Sequence, residues 1–190
     1  MVRPRRATSV LPYGALDRAH LVGHLLDLAR RVGVENVTMR ALAAAAGTSP
    51  SSVYYHVKDK AALLDLLAES VVESIAVPTD GDWTQRIVAL YTNAWHAMVD
   101  MPGIAALLQQ RPLTGSAHAM DRTAKAILAE SGWPAERIDD AHVVLYIHLL
   151  GSVQLHHHLG TAGLTSAADA EALFGRGLEV ILTGLLHTKE

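Results

Sequence analysis

Residues 38–60 read TMRALAAAAGTSPSSVYYHVKDK, and this stretch decides the fold. Its spacing predicts two short helices around a tight turn. The Thr38 hydroxyl oxygen can accept from an orphan amide in the first turn of the first helix. Met39, Leu42, Ala43 and Ala46 follow on one face at helical spacing. Gly47 stands where a left-handed residue ends a helix. Ser49 and Pro50 restart the chain, a capping hydroxyl followed by a proline at the first helical position. In the second helix Val53 and Val57 point inward, which leaves Ser51, Ser52, Tyr54, Tyr55 and His56 outside. One reading of that surface is the polar back of an ordinary helical hairpin. The other is a DNA major groove, which admits one helix and offers base edges and phosphates to such side chains.

The flanks extend the pattern. Gly33, the segment Thr38-Met39-Arg40-Ala41-Leu42-Ala43, the pair Ala46-Gly47, the run Val53-Tyr54-Tyr55-His56-Val57, and Lys60 with Leu63 and Leu64 occur in that order. Over roughly residues 15–70 the chain resembles the TetR family of bacterial repressors, and within it the tetracycline repressors. The resemblance implies an all-α fold, with an N-terminal three-helix helix-turn-helix domain and a C-terminal helical domain for ligand binding and dimerisation. It implies that Tyr54, Tyr55, His56 and Lys60 meet phosphate or bases, and that Arg40 reads a base from the preceding helix. Bidentate pairing of Arg with guanine is the physical reason. Thr38, Thr48, Ser49, Ser51, Ser52 and Lys58 complete the expected DNA surface. Packing of Tyr54 against the first helix is the other reading of that residue. Small residues at 48–52 replace larger ones of the family, so no operator sequence follows.

Charge agrees with one end meeting phosphate. The net charge is −3, yet residues 1–60 hold nine Lys/Arg against four Asp/Glu, and the remainder seven against fifteen. Arg3, Arg5 and Arg6 form either a DNA-contacting arm or a solvated tail. No apolar run is long enough to span a membrane, and the basic N-terminus lacks a signal peptide's apolar core. The absence of cysteine fits a cytoplasmic protein.

Every further segment reads as helix. Leu21, Leu25, Leu28, Ala29 and Val32 give residues 14–32 an amphipathic stripe, closed by Gly33. Asp59 can cap a fourth helix over 60–77, and Pro78 to Gly81 break the chain. The expected units are a DNA-binding head (1–60), a linking helix (61–77) and an effector-binding, dimerising body (78–190). In the body the spacing predicts helices at 82–100, 104–111, 116–130 and from Pro134 to about 159. A last helix follows a Ser166 cap. The stripes at 143–153 and 178–186 serve either a dimer seam or the subunit's own core. By the resemblance they pair with their mates, as a palindromic operator requires.

The resemblance also implies an effector cavity in the body. Such a cavity is mostly apolar with a few polar anchors. Tyr91, Trp95, His96, Met98, Met101, Gln109, His142, Tyr146 and His148 are the ligand candidates, with Gln110, Met120 and Trp133 behind them. Trp95 and Tyr146 are the foremost, being large, flat and able to donate one hydrogen bond. Tetracycline repressors hold a drug–magnesium chelate through a histidine five residues before an Arg-Pro proline. Arg111-Pro112 matches the landmark, but Leu107 takes the histidine's place and Ala76 that of a second one. Both departures argue against that inducer.

His156, His157 and His158 invite a metal reading. Consecutive helical positions diverge by about 100°, however, and no Cys-x-x-Cys or His-Glu-x-x-His accompanies them. No metal or cofactor is expected. No nucleophile elbow, Walker loop or dinucleotide fingerprint is present, so no catalytic residue is assigned and an enzyme is not expected. The function expected is a ligand-responsive repressor, a homodimer on palindromic double-stranded DNA. The alternatives are an architectural DNA binder without an inducer, or a helical enzyme using the body's cavity.

Overall fold

A computed structural model of the protein describes residues 17–111, 115–161 and 166–187. The arginines of the N-terminal arm and Pro112 lie outside them. Among the described residues there are nine α-helices, one short 3-10 turn and no strand. Nor is any helix there long and apolar enough to cross a membrane.

The first three helices form the head. α1 (Arg18–Val32) begins on Asp17, whose carboxylate accepts from the His20 amide at 2.8 Å. It ends at Gly33, and the 3-10 turn Val34–Asn36 leads on. α2 (Met39–Ala45) is capped by the Thr38 hydroxyl, which accepts from the Ala41 amide at 3.1 Å. Gly47 then takes φ +63°, a left-handed turn that costs an L side chain about 1 kcal/mol or more. α3 (Pro50–His56) starts on Ser49, with Pro50 in the first turn. Leu21, Leu25, Val37, Leu42 and Val53 are fully buried between these helices. Each such aliphatic side chain contributes about 1.5–3 kcal/mol through burial.

α4 (Lys60–Glu73) is capped by Asp59 and packs against α1. It also packs against three helices of the body, so one hydrophobic core runs from head to body through Leu63, Leu67 and Val71. The helix stops at Glu73, earlier than the expected 77. The Ser74 hydroxyl donates to the Val71 carbonyl at 2.7 Å, and the Ile75 amide bonds back to Val72. Pro78 further on disfavours helical backbone before it. Ile75 stays buried although it lies past the helix end.

The body comprises α5 (Trp83–Val99), α6 (Ile104–Gln110), α7 (Gly115–Ala129), α8 (Ala135–Thr161) and α9 (Ala167–His187). A reciprocal capping box of Asp82 and Gln85 opens α5. α8 begins one residue later than expected. The Pro134 carbonyl accepts from the Ile138 amide at 3.1 Å, so the proline sits at the cap rather than inside the first turn. The Ser166 hydroxyl accepts from the Asp169 amide at 3.1 Å and caps α9.

The last two helices bury one face inside the subunit and leave another uncovered. Leu145, Leu149 and Val153 of α8 and Phe174, Leu178 and Leu182 of α9 are buried inside the subunit. Val143, Val144, Ile147, Leu155, Leu173 and Val180 stay exposed. Head and body meet a second time beside α4. The Val34 amide donates to the Pro102 carbonyl at 2.8 Å, in the turn between α5 and α6. Gly103 makes this approach possible, since a Cβ there would stand 3.2 Å from the Val34 Cβ.

Candidate functional site

The outer face of α3 is built by its caps. The Ser49 hydroxyl accepts from the Ser52 amide at 3.2 Å and shares a 3.1 Å hydrogen bond with the Ser52 hydroxyl. With Thr38 capping α2, three expected DNA contacts are therefore already engaged in holding helix ends. Ser51, Tyr54 and Tyr55 fall within an arc of about 100° on α3. Tyr55 is 86% exposed and Tyr54 54%, so neither ring is absorbed into the core. His56 meets the Tyr55 ring edge-on at 5.3 Å. Arg40 projects from the first turn of α2, and Thr48 is half-buried in the turn. Lys58 and Lys60 flank Asp59, and the Lys60 ammonium leans on the Glu35 carbonyl at 3.4 Å. The surface thus offers one guanidinium, two phenols, an imidazole and two ammonium groups around a pair of helices the size of a groove.

The body encloses a cavity of about 280 Å³. Ala68, Val72 and Ile75 wall it from the linking-helix side, and Leu90, Tyr91, Ala94 and Met98 from α5. Leu108 and Arg111 close the α6 side, Met120, Asp121 and Lys125 come from α7, and His142, Tyr146 and Leu149 from α8. A polar chain crosses part of this wall. Lys125 pairs with Asp139 at 2.9 Å and Asp121 at 3.3 Å. Asp121 meets His142 Nε2 at 3.0 Å, and His142 Nδ1 meets the Tyr91 hydroxyl at 2.9 Å. Burial pushes the His142 pKa down, against the pull of Asp121. A neutral imidazole there donates from Nε2 to the carboxylate and accepts from Tyr91 at Nδ1. Burial likewise pushes the Tyr91 and Tyr146 phenols up, so both stay protonated hydrogen-bond donors. On the head side of the cavity the Arg111 guanidinium donates to the Ala61 carbonyl at 3.0 Å and pairs with Asp65, both on α4.

Residues 25–67, which hold the helix-turn-helix and the start of α4, match the family described as bacterial regulatory proteins, tetR family. An HTH-type transcriptional regulator of Saccharopolyspora erythraea is 26% identical over 98% of this chain and 90% of its own length. The class A tetracycline repressor protein from transposon 1721 of Escherichia coli is 28% identical over 84% of this chain and 86% of its own. The chain belongs to the TetR family. A crystal structure of a TetR variant from Acinetobacter baumannii with minocycline shares the fold, with a TM-score of 0.74 and 23% identity. It matches over 92% of this chain and 98% of that one. The chain is thus a TetR-family transcriptional regulator, of a family that binds DNA operators and small molecules and forms dimers.

In this TetR-family body, Tyr91, Met98, His142 and Tyr146 stand on the cavity wall, with Met120. Five other ligand candidates do not. Trp95 stacks on Phe174 at 5.7 Å, and His148 stacks on the same ring at 5.0 Å. His96 pairs with Glu171 at 3.1 Å. Met101 is fully buried beside the α5–α6 turn, and Gln109 and Gln110 are exposed on α6. Trp133 packs on Trp83 at 5.2 Å. His156 lies against the Trp95 ring while His157 meets the Val99 carbonyl at 2.6 Å, so these neighbours do not converge. Arg111, Asp121 and Lys125 are wall residues that the sequence reading did not include. Asp121 and Lys125 are an i, i+4 pair, which was visible, but their partner His142 is distant in sequence.

The His142 shift has a measurable consequence. A folded-state pKa below the ordinary 6.5 means the unfolded chain takes up that proton first as pH falls. The associated stability is complete above 6.5 and is lost as pH drops through it toward the lowered value. His157 shifts the same way, also chiefly through burial. Melting temperature should therefore fall between about pH 7.5 and 5.5, a window above most carboxylate titration. His142→Gln should flatten that slope without abolishing it. An identical slope in the variant would remove His142 from the account.

Proposed function

We propose that this protein is a ligand-responsive repressor, a homodimer whose two heads sit in successive major grooves of a palindromic operator. The head comprises residues 1–60, the linking segment 61–77, whose helix ends at Glu73, and the effector-binding, dimerising body 78–190. Tyr54, Tyr55 and Ser51 read the groove from α3, and Arg40 reads it from α2. The amphipathic outer faces of α8 and α9 meet their mates across a two-fold axis.

The observation that supports this reading best is that cavity and head share one helix. Ala68 and Val72 of the linking helix, with Ile75 just past its end, form part of the cavity wall. Ala61 and Asp65, in its first two turns, hold Arg111, another wall residue of the same cavity. An effector that widens the cavity moves this helix, and the spacing of the two heads changes with it. The effector shifts the equilibrium only by its differential affinity for the DNA-fitting and released states. Leu107 offers no nitrogen for a metal–drug chelate, so the effector is a molecule other than tetracycline–magnesium.

Selection of bound duplexes from a random pool tests the reading. The expected product is a palindrome with half-sites about one helical turn apart or a small multiple. Binding without sequence preference that fades as salt rises would make the protein an architectural binder instead. On the selected site Arg40→Ala should cost about 1–3 kcal/mol and relax preference at one base pair per half-site. An equal loss on unrelated DNA would assign Arg40 to phosphate.

A further inference from the structure

Three charged side chains reach the cavity wall, and their surroundings differ. Lys125 is compensated twice, by Asp139 at 2.9 Å and by Asp121 at 3.3 Å. Arg111 is the less committed cation. Both of its bonds, to the Ala61 carbonyl and to Asp65, leave from Nη1. The rest of the guanidinium edge has no hydrogen-bond partner among the described residues. Asp65 does not line the cavity, and its side chain is 52% exposed, so water can solvate it when Arg111 turns away. The wall that Arg111 shares is largely apolar, with Met98, Leu108 and Leu149 and the Tyr91 and Tyr146 rings among its lining residues.

From this arrangement we infer that the effector is an apolar acid, whose carboxylate pairs with the open edge of Arg111 and draws it off Asp65 and the Ala61 carbonyl. The inference rests on the reading of the cavity as the effector site and assigns its ligand class. A guanidinium presents donors in a fork that matches a carboxylate, and a half-buried site strengthens the pair. A neutral isostere of the same shape fills the apolar space but offers the cation nothing to exchange for Asp65. The acid therefore binds and unfastens α4 in one step. Its carboxylate replaces the Asp65 carboxylate on the same guanidinium, while the hydrocarbon or aromatic body lies along Met98, Leu108 and Leu149. Asp65 is then a competitor for the ligand's place as well as a latch for the helix.

The test uses the full-length protein and matched probes, 2-naphthoate with 2-naphthamide and decanoate with decanamide, titrated by calorimetry. Each acid should bind about tenfold more tightly than its amide. Arg111→Gln should remove the difference and leave amide binding unchanged. Asp65→Asn should tighten acid binding several-fold and leave the amide unaffected, which keeps the idea testable should the Arg111 variant fold poorly. Equal affinities within each pair, or an acid preference that survives Arg111→Gln, would overturn the assignment. So would the absence of binding by all four probes. None of these outcomes touches selection of a palindromic operator, whose failure would overturn the regulatory reading alone.

Discussion

Ile147→Glu should convert the protein to a monomer in sedimentation and lower operator affinity by about a hundredfold to ten-thousandfold. The magnitude is that of losing the second, effectively intramolecular, half-site contact. Ile147 is 63% exposed and Val180 of α9 is 71% exposed. Single exposed apolar residues are ordinary, but these belong to a series. Val143, Val144, Ile147, Gly151 and Leu155 fall within about 120° of arc on α8, and Leu173, Val180 and Gly184 within about 40° on α9. The opposite faces of both helices are already buried in the subunit through Leu145, Leu149, Phe174 and Leu178. A two-fold interface repeats every substitution, so two unpaired carboxylates would enter one seam. The change lies on the outside of the protomer, so circular dichroism should be unaltered. A dimer that persists at nanomolar concentration would place the interface elsewhere.

Phe174→Ala should lower stability by about 3–5 kcal/mol, the range for deleting a fully buried phenyl ring. Phe174 is 1% exposed and stacks with two aromatic rings. Trp95 of α5 stacks on it with planes 15° apart, and His148 of α8 with planes 7° apart. The ring thus holds three helices of the body at one point. Its loss would leave a void beside Trp95, whose buried indole nitrogen has no hydrogen-bond partner among the described residues. Neighbouring rings cannot close that space without breaking the His148 contact to the Phe174 carbonyl at 3.0 Å. Phe174→Leu keeps most of the volume and should cost under about 1.5 kcal/mol. Urea midpoints read both effects, and an unchanged slope would confirm that the native state alone is altered. A loss near 1 kcal/mol for the alanine variant would mean that the three helices repack freely.

The head was legible from residues 38–60 because its determinants are local. A hydroxyl or carboxylate three residues before the amide it accepts, as in Thr38, Ser49 and Asp59, needs no knowledge of the rest of the chain. The same holds for Gly47 at positive φ and for the inward faces of every long helix. The end of α4 departs from its apolar spacing for a related reason: the stripe continues through Ile75, but Ser74 and Pro78 end the backbone pattern before the burial ends.

The cavity shows where local information stops. Tyr91 and Trp95 lie one turn apart on the same buried face of α5, and periodicity treats them alike. Tyr91 meets His142 at the cavity wall, whereas Trp95 meets Phe174 in the core. That difference is decided by which residue of α8 or α9 arrives opposite, at separations of 51 and 79 positions. Arg111 had a place in the sequence as a family landmark, but its bond to the first turn of α4 required the helices to pack. Sequence by itself determined the helices, their caps and the groove-sized head, since each depends on residues within a few positions of one another. The cavity, its cationic edge and the uncovered outer faces of α8 and α9 were decided only by tertiary structure, because they depend on which faces remain once all the others have found partners.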